Sequence, residues 1–126
     1  MTRICYDTSI LVDVLRGRPS AVRLVRSHEG DERATTAVSA YELSLGATTA
    51  ARQRAALELL ESLRLLPLDS DAAWRAGEIM RSLRRGGRQA PLRDLLVATI
   101  AREAGCRLFT TDRRFPRIEG LDLSVV

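Results

Sequence analysis

Residues 3–15 have the sequence RICYDTSILVDVL, which predicts a short strand, a sharp turn and a helix. The first apolar run ends at Asp7, and from Ile10 to Leu15 the apolar residues return at helical spacing. In open α/β sheets, functional sites form just beyond the carboxyl ends of the strands. Asp7 is therefore the first candidate for a functional side chain.

The remainder of the chain alternates in the same way between strands and helices. Helices are predicted after Pro19, after Ser39, around Ala56, after Asp69 as far as the glycine pair 86–87, and over residues 93–104. The further strands are predicted at residues 33–38, 65–68, 107–110 and 121–126. Such alternation indicates an α/β domain with a mainly parallel sheet, and we expect residues 1–126 to form one domain.

The composition excludes several classes of enzyme. All 20 basic residues are arginine, which excludes Walker-type phosphate loops and Schiff-base enzymes because both need a lysine. The single histidine, His28, lies in a polar stretch where we expect an exposed side chain, so histidine-based catalysis is not predicted. Cys5 and Cys106 match no zinc pattern, and we expect both to be buried thiols. No apolar run approaches the roughly 18 residues of a membrane span, so we expect a cytoplasmic protein with no membrane contact.

Four carboxylates stand near the predicted strand ends, although each has an ordinary structural explanation. Ser39 and Glu42 have the spacing of a helix capping box. Asp7 and Asp94 would suit the first turn of a helix, where an acid interacts favourably with the helix dipole. Asp112 would suit a turn. Asp94 is the hardest to explain in this way, because Leu95 to Ala101, which follow it, carry no charge and a buried carboxylate needs a partner.

Convergence of the four acids would require positive charge nearby. Two unit charges about 4 Å apart repel by roughly 4 kcal/mol at an effective dielectric constant of 20. Oxygen ligands without histidine or cysteine suit Mg²⁺ or Mn²⁺ rather than zinc. On this basis Asp7→Asn or Asp94→Asn is expected to preserve or raise stability in the absence of metal, because repulsion is relieved.

Four segments carry the most specific pattern in the chain. In order they are residues 5–13 (CYDTSILVD), 39–43 (SAYEL), 94–98 (DLLVA) and 108–115 (LFTTDRRF). Together they resemble the PIN-domain family, particularly its VapC-type toxins, and they cover nearly the whole chain in the family's order.

The resemblance implies a fold and a site. It implies a PIN-like three-layer domain with a parallel five-stranded sheet of order 3-2-1-4-5, flanked by helices. It also implies that acids binding Mg²⁺ or Mn²⁺ hydrolyse RNA phosphodiesters through metal-activated water. The matching catalytic and metal-binding positions are Asp7, Glu42, Asp94 and Asp112, with Ser9 and Thr110 in supporting roles. Asp112 stands where some members have asparagine, which implies that it tunes a second metal site and is not indispensable.

The resemblance further implies partners for the chain. VapC-type members act as endoribonuclease toxins, form homodimers and are held inactive by a cognate VapB-like antitoxin. Without the four acids the chain has 20 basic and 12 acidic residues, a net charge of +8 that suits an RNA backbone. The candidate RNA-binding residues are Arg84, Arg85, Arg88 and Arg93. A solvated arginine surface explains these side chains equally well.

Two other functions are compatible with the same pattern. A catalytically silent PIN-like module would bind RNA or a protein partner through the same fold. A structure-specific DNA nuclease would share the metal chemistry, but it generally needs additional arches and helices for which 126 residues leave no room. The presence of all four acids favours the ribonuclease.

Overall fold

A computed structural model describes residues 2–126, and a parallel sheet of five strands lies at its centre. The strands are β1 (Arg3–Tyr6), β2 (Glu32–Thr36), β3 (Arg64–Leu66), β4 (Arg107–Thr110) and β5 (Asp122–Val125). Their order is β3-β2-β1-β4-β5, and all neighbouring pairs are parallel. The predicted fold class and the order 3-2-1-4-5 are confirmed.

Helices cover both faces of this sheet. They are α1 (Thr8–Leu15), α2 (Pro19–Ser27), α3 (Ala37–Gly46), α4 (Ala50–Glu61), α5 (Ser70–Arg85) and α6 (Leu92–Glu103). The Asp69 side chain caps α5 by accepting a hydrogen bond from the Ala72 amide at 2.8 Å. The buried residues of α6 all lie between Leu95 and Ala101, which agrees with the absence of charge in that segment.

Alternation along β1 divides the core into two layers. Cys5 points to the layer in which α5 and α6 pack against the sheet. Ile4 and Tyr6 point to the opposite layer, which includes residues from α1, α3 and α4. Ile4, Cys5 and Tyr6 are fully buried between the two layers, whereas Arg3 at the start of β1 is exposed.

Both cysteines are buried, as predicted, whereas the prediction for His28 is wrong. Burial raises the pKa of the Cys5 and Cys106 thiols above the ordinary value, which keeps them protonated at neutral pH. The His28 side chain is only 23% exposed, and its Nδ1 lies 2.9 Å from Asp31 Oδ2. Its ring also packs on Phe109 at a centroid distance of 5.3 Å. This aromatic contact, which polarity along the chain did not reveal, draws the imidazole inward.

The start of α3 differs from the predicted capping box. The helix begins at Ala37, and Thr36 is its N-cap, with Thr36 Oγ1 accepting from the Ser39 amide at 3.2 Å. The prediction that Ser39 caps this helix is therefore wrong. Strand β2 ends at Thr36, two residues before the predicted end at residue 38. Glu42 consequently lies beyond the first turn, and its side chain is available for contacts outside α3.

Across residues 2–126, no helix combines the length and the apolar content needed to cross a membrane.

Replacement of Thr36 tests this capping assignment. Thr36→Val keeps the shape of the buried side chain and removes the oxygen that accepts from Ser39, so we expect stability to fall by about 1 kcal/mol. Urea unfolding followed by circular dichroism measures the change. Thr36→Ser retains the acceptor and is the matched control, expected to lose clearly less. Equal stability of the valine variant and the unaltered protein would contradict the assignment.

Candidate active site

Asp7 follows the central strand and is almost completely buried, with 2% of its surface exposed. Its backbone amide donates to the Phe109 carbonyl at 2.9 Å, which extends the pairing of β1 with β4 by one residue. Asp7 is the N-cap residue of α1 by position, but its side chain caps no backbone amide of that helix and instead contacts Thr110 of β4 and Arg93 of α6. The strand end therefore places a buried negative charge at the carboxyl edge of the sheet.

Two hydroxyl groups hold one oxygen of this carboxylate. Thr110, the last residue of β4, donates from Oγ1 to Asp7 Oδ2 at 2.8 Å. Ser9 Oγ donates to the same oxygen at 3.3 Å. Ser9 Oγ also accepts from the Thr111 amide at 3.1 Å. Both residues predicted to support the site thus lie where they orient Asp7.

Arg93 joins three of the four predicted acids. Its Nη2 lies 2.7 Å from Asp7 Oδ1 and 2.7 Å from Glu42 Oε1, and its Nη1 lies 2.9 Å from Asp94 Oδ1. The Nε group also donates to Glu42 Oε1, at 2.8 Å. Asp7, Glu42, Asp94 and Arg93 are called the arginine-centred acid cluster below. The loop after β1, helix α3 and the first turn of α6 meet in it.

Thr8 contacts two members of this cluster, a role that was not predicted from the sequence. Its hydroxyl accepts from Arg93 Nη2 at 2.8 Å and lies 2.7 Å from Glu42 Oε1, to which it donates. The role of Arg93 was also missed, because it was grouped with the arginines of a candidate RNA surface. The nearest signal in the sequence was an arginine placed directly before the acid that most needed a partner.

Asp112 lies beside the cluster and is exposed to solvent. Its amide donates to Thr110 Oγ1 at 3.1 Å, and its Oδ1 accepts from the Arg114 amide at 2.9 Å. Thr110 therefore connects Asp112 to Asp7 through a single hydroxyl. The structure brings Asp7, Glu42 and Asp94 together around one group and places Asp112 next to them, in a turn.

The remaining candidate arginines lie apart from these contacts. Arg84 and Arg85 are exposed in the last turn of α5, and Arg88 is exposed in the segment between α5 and α6. The Arg93 side chain is 30% exposed and donates to carboxylates. The four arginines predicted as one group therefore have two different environments.

The contacts within the cluster keep Glu42 and Arg93 charged. Burial acts to raise the pKa of the Glu42 carboxyl, but hydrogen bonds from Arg93 and Thr8 and the charge of Arg93 outweigh it and lower that pKa. Burial acts to lower the pKa of the Arg93 guanidinium, but its contacts with the acids outweigh burial and raise that pKa. Glu42 is therefore a carboxylate at neutral pH, and Arg93 is a cation.

The cluster fits a divalent cation by charge and donor type. Three carboxylates and one guanidinium sum to −2, and the oxygens are those that Mg²⁺ and Mn²⁺ prefer. The carboxylate oxygens are spaced to contact the guanidinium of Arg93. Among residues 2–126, no group of three or more histidine, cysteine, aspartate or glutamate side chains is arranged to hold a metal ion. The acids present fit the metal chemically, and Arg93 lies between them.

Arg93 reverses the expected effect of removing an acid. Because each acid of the cluster is paired with a cation, Asp7→Asn removes favourable hydrogen bonds to a charged group instead of relieving repulsion. We expect the metal-free stability to fall by about 2 kcal/mol. Urea unfolding in EDTA measures it, with Glu58→Gln, on the exposed surface of α4, as the matched control. Unchanged or increased stability of Asp7→Asn would show that repulsion among the acids dominates.

Comparison with known proteins gives one consistent family. A family model described as PIN domain matches residues 4–121, a range that contains all four acids. Ribonuclease VapC10 from Mycobacterium tuberculosis is 36% identical over 120 residues, which are 94% of this chain and 90% of that protein.

Solved structures agree with the fold. VapBC2 from Rickettsia felis, determined with a DNA fragment from its promoter, gives a TM-score of 0.89 at 20% identity and covers 99% of both chains. VapBC-5 from Mycobacterium tuberculosis, a member of the VapBC family of toxin–antitoxin systems, gives a TM-score of 0.66 at 26% identity and covers 100% of this chain and 98% of that one. With the family model spanning residues 4–121 and the ribonuclease relative above 30% identity, the chain belongs to the PIN-domain family.

Proposed function

We propose that this protein is a metal-dependent endoribonuclease and the toxin component of a toxin–antitoxin pair, formed by a single PIN domain. The observation that carries the proposal is the convergence of Asp7, Glu42 and Asp94 within 3 Å of one guanidinium, at the carboxyl edge of the sheet. Membership of the PIN-domain family and the ribonuclease relative support it.

The side chains of the site have distinct tasks in this proposal. Asp7, Glu42 and Asp94 would hold Mg²⁺ or Mn²⁺, with Asp112 as an outer acid connected through Thr110. When bound, the metal would activate the attacking water and stabilise negative charge on the phosphate. Thr110 and Ser9 orient Asp7 by donating to Oδ2, which leaves Oδ1 to accept from Arg93 at the centre of the cluster.

RNA would approach over positive surface beside the acids. Arg84 and Arg85 are exposed in the last turn of α5, and Arg88 is exposed in the segment that connects α5 with α6, the helix that carries Asp94. Guanidinium groups in this position suit phosphate oxygens, and such contacts hold a strand in place without selecting its sequence. The arginine surface therefore contributes affinity, and the acids contribute the reaction.

An antitoxin would cover the entrance to the site. Tyr41 on α3 and Leu92 at the start of α6 are 65% and 66% exposed, and they flank Glu42 and Arg93. Exposed apolar side chains around a charged centre suit a protein partner better than solvent. The VapBC-5 relative is a member of a toxin–antitoxin family, and we propose a VapB-like antitoxin, a homodimer and a cytoplasmic location for this chain as well.

The alternative is a silent PIN-like module that binds RNA or protein. The observation in its favour is that Arg93 already occupies the three acids through short hydrogen bonds. In such a module the guanidinium would keep this position permanently, and the acids would have a structural role. Cleavage assays separate the two functions.

The test uses labelled RNA and labelled DNA, each incubated with Mn²⁺ and with EDTA. We expect cleavage of RNA with Mn²⁺ only, and a loss of at least about 100-fold in Asp7→Asn and Asp94→Asn, since both remove a metal ligand. Glu58→Gln, which alters an exposed acid of α4, should cleave like the unaltered protein.

The products and the substrate choice decide among the remaining outcomes. Attack by activated water leaves a 5′-phosphate, so products ending in a 2′,3′-cyclic phosphate would contradict the proposed chemistry. Cleavage of DNA in preference to RNA would favour the DNA nuclease. Binding of RNA without cleavage, in the presence of Mn²⁺, would favour the silent module.

A further inference from the structure

Arg93 uses its guanidinium almost entirely inside the site. Its nitrogens lie 2.7 to 2.9 Å from three carboxylate oxygens and the Thr8 hydroxyl, and the two hydrogens of Nη2 are shared among three of these acceptors. Hydrogen bonds between ionised groups are the shorter and stronger kind. The guanidinium of Arg93 is therefore held at the site by several short hydrogen bonds.

The position of the guanidinium is also the position that a shared metal would need. A cation that contacts Asp7, Glu42 and Asp94 together has to lie between their oxygens, and the guanidinium lies there. Bringing a divalent cation into the same space would place three positive charges within contact distance. The two cations are thus mutually exclusive in this arrangement.

We propose that Arg93 is a built-in counter-cation that competes with the divalent metal for Asp7, Glu42 and Asp94, so that metal binding requires the guanidinium to leave. This inference rests on the proposed metal site. In the metal-free protein Arg93 keeps the three acids assembled at the edge of the sheet. The affinity for metal is lower than the acids alone would give, because each binding event first breaks the arginine contacts.

The surroundings of Arg93 allow such a movement. Its side chain is 30% exposed, and it starts in the first turn of α6, where Leu92 beside it is also exposed. The guanidinium can therefore turn toward solvent by side-chain rotation, while the buried part of α6 from Leu95 onward stays in place. Asp94 remains attached to the same turn and keeps its position at the site.

Metal affinity in the absence of RNA tests the competition directly. Isothermal titration calorimetry with MnCl₂ is run on the metal-free protein, on Arg93→Gln and on Arg93→Lys. We expect Arg93→Gln to bind Mn²⁺ at least about ten-fold more tightly, since a competitor is gone and the site gains negative charge. Arg54→Gln, which alters an exposed arginine of α4, is the matched control and should bind like the unaltered protein.

Arg93→Lys separates occupation of the site from charge alone. A lysine keeps the positive charge but lacks the planar fork that reaches three acids at once, so we expect an intermediate affinity. If the lysine variant matches Arg93→Gln, the geometry of the guanidinium is the whole effect. If it matches the unaltered protein, charge is sufficient. The second result would contradict occupation of the site by the guanidinium, whereas the first result and the expected intermediate affinity both support it. Circular dichroism checks that each variant is folded.

A second measurement follows the guanidinium itself. In nitrogen-15 NMR spectra of the metal-free protein, the Arg93 Nε–H signal should be protected from exchange, and it is assigned by its loss in Arg93→Gln. Addition of Mg²⁺ should expose this group to rapid exchange with water. A signal that stays protected when Mg²⁺ is bound would overturn the proposal.

The possible failures are distinguishable. A folded Arg93→Gln protein that binds Mn²⁺ no more tightly than the unaltered protein overturns the competition and leaves the ribonuclease proposal intact. If none of the proteins binds Mn²⁺, the proposed metal site is wrong, and the competition is overturned with it. If only Arg93→Gln binds Mn²⁺, the competition is supported in its strongest form.

Discussion

Three carboxylates meet at one edge of the sheet, and the cation between them makes their meeting possible. Each pair of such charges costs roughly 4 kcal/mol at a separation of about 4 Å and an effective dielectric constant of 20, which is a large part of the 5 to 15 kcal/mol that typically stabilises a domain. The guanidinium of Arg93 offsets this cost through direct contacts with all three acids. The positions of the three acids are consequently set by their contacts with this cation as well as by the fold.

The fold supplies the positions that this balance connects. Asp7 comes from the central strand, Glu42 from α3 and Asp94 from α6, so the acids converge only when the sheet and both helices are packed. Thr110 and Ser9 fix one oxygen of Asp7, and Arg93 takes the other. The site therefore forms only when the protein folds, because its side chains come from four separate parts of the sequence: residues 7–9, 42, 93–94 and 110.

Hydrophobic periodicity and turn residues predicted the α/β class with a mainly parallel sheet, and the family resemblance supplied the strand order. The bounds of β1 and β4 agree with the sequence because each is a short apolar run that ends at a polar residue. The cap of α3 was placed wrongly, since Thr36 and Ser39 are both good capping residues and the residues between them are compatible with strand or helix. Local preference does not decide between two such neighbours, and packing of the strand end does.

The candidate site was predictable only in part. The family pattern predicted the four acids and their supporting hydroxyls, and strand ends explained why they should be close. The partner of the acids was not predictable, because an arginine side chain reaches several ångströms and its target depends on how α6 is oriented. Charge counts indicate that a cation is needed, but they do not distinguish a metal ion from an arginine of the same chain.

The alternation of β1 between the two core layers has a consequence for measurement. A shift of this strand by one residue would move Asp7 by about 3.3 Å and exchange Ile4 and Cys5 between the layers. The same error would disrupt the core and separate Asp7 from Thr110 and Arg93. Molecules with a misaligned central strand would therefore lose both activity and stability. The specific activity of a purified sample would then be proportional to its correctly folded fraction.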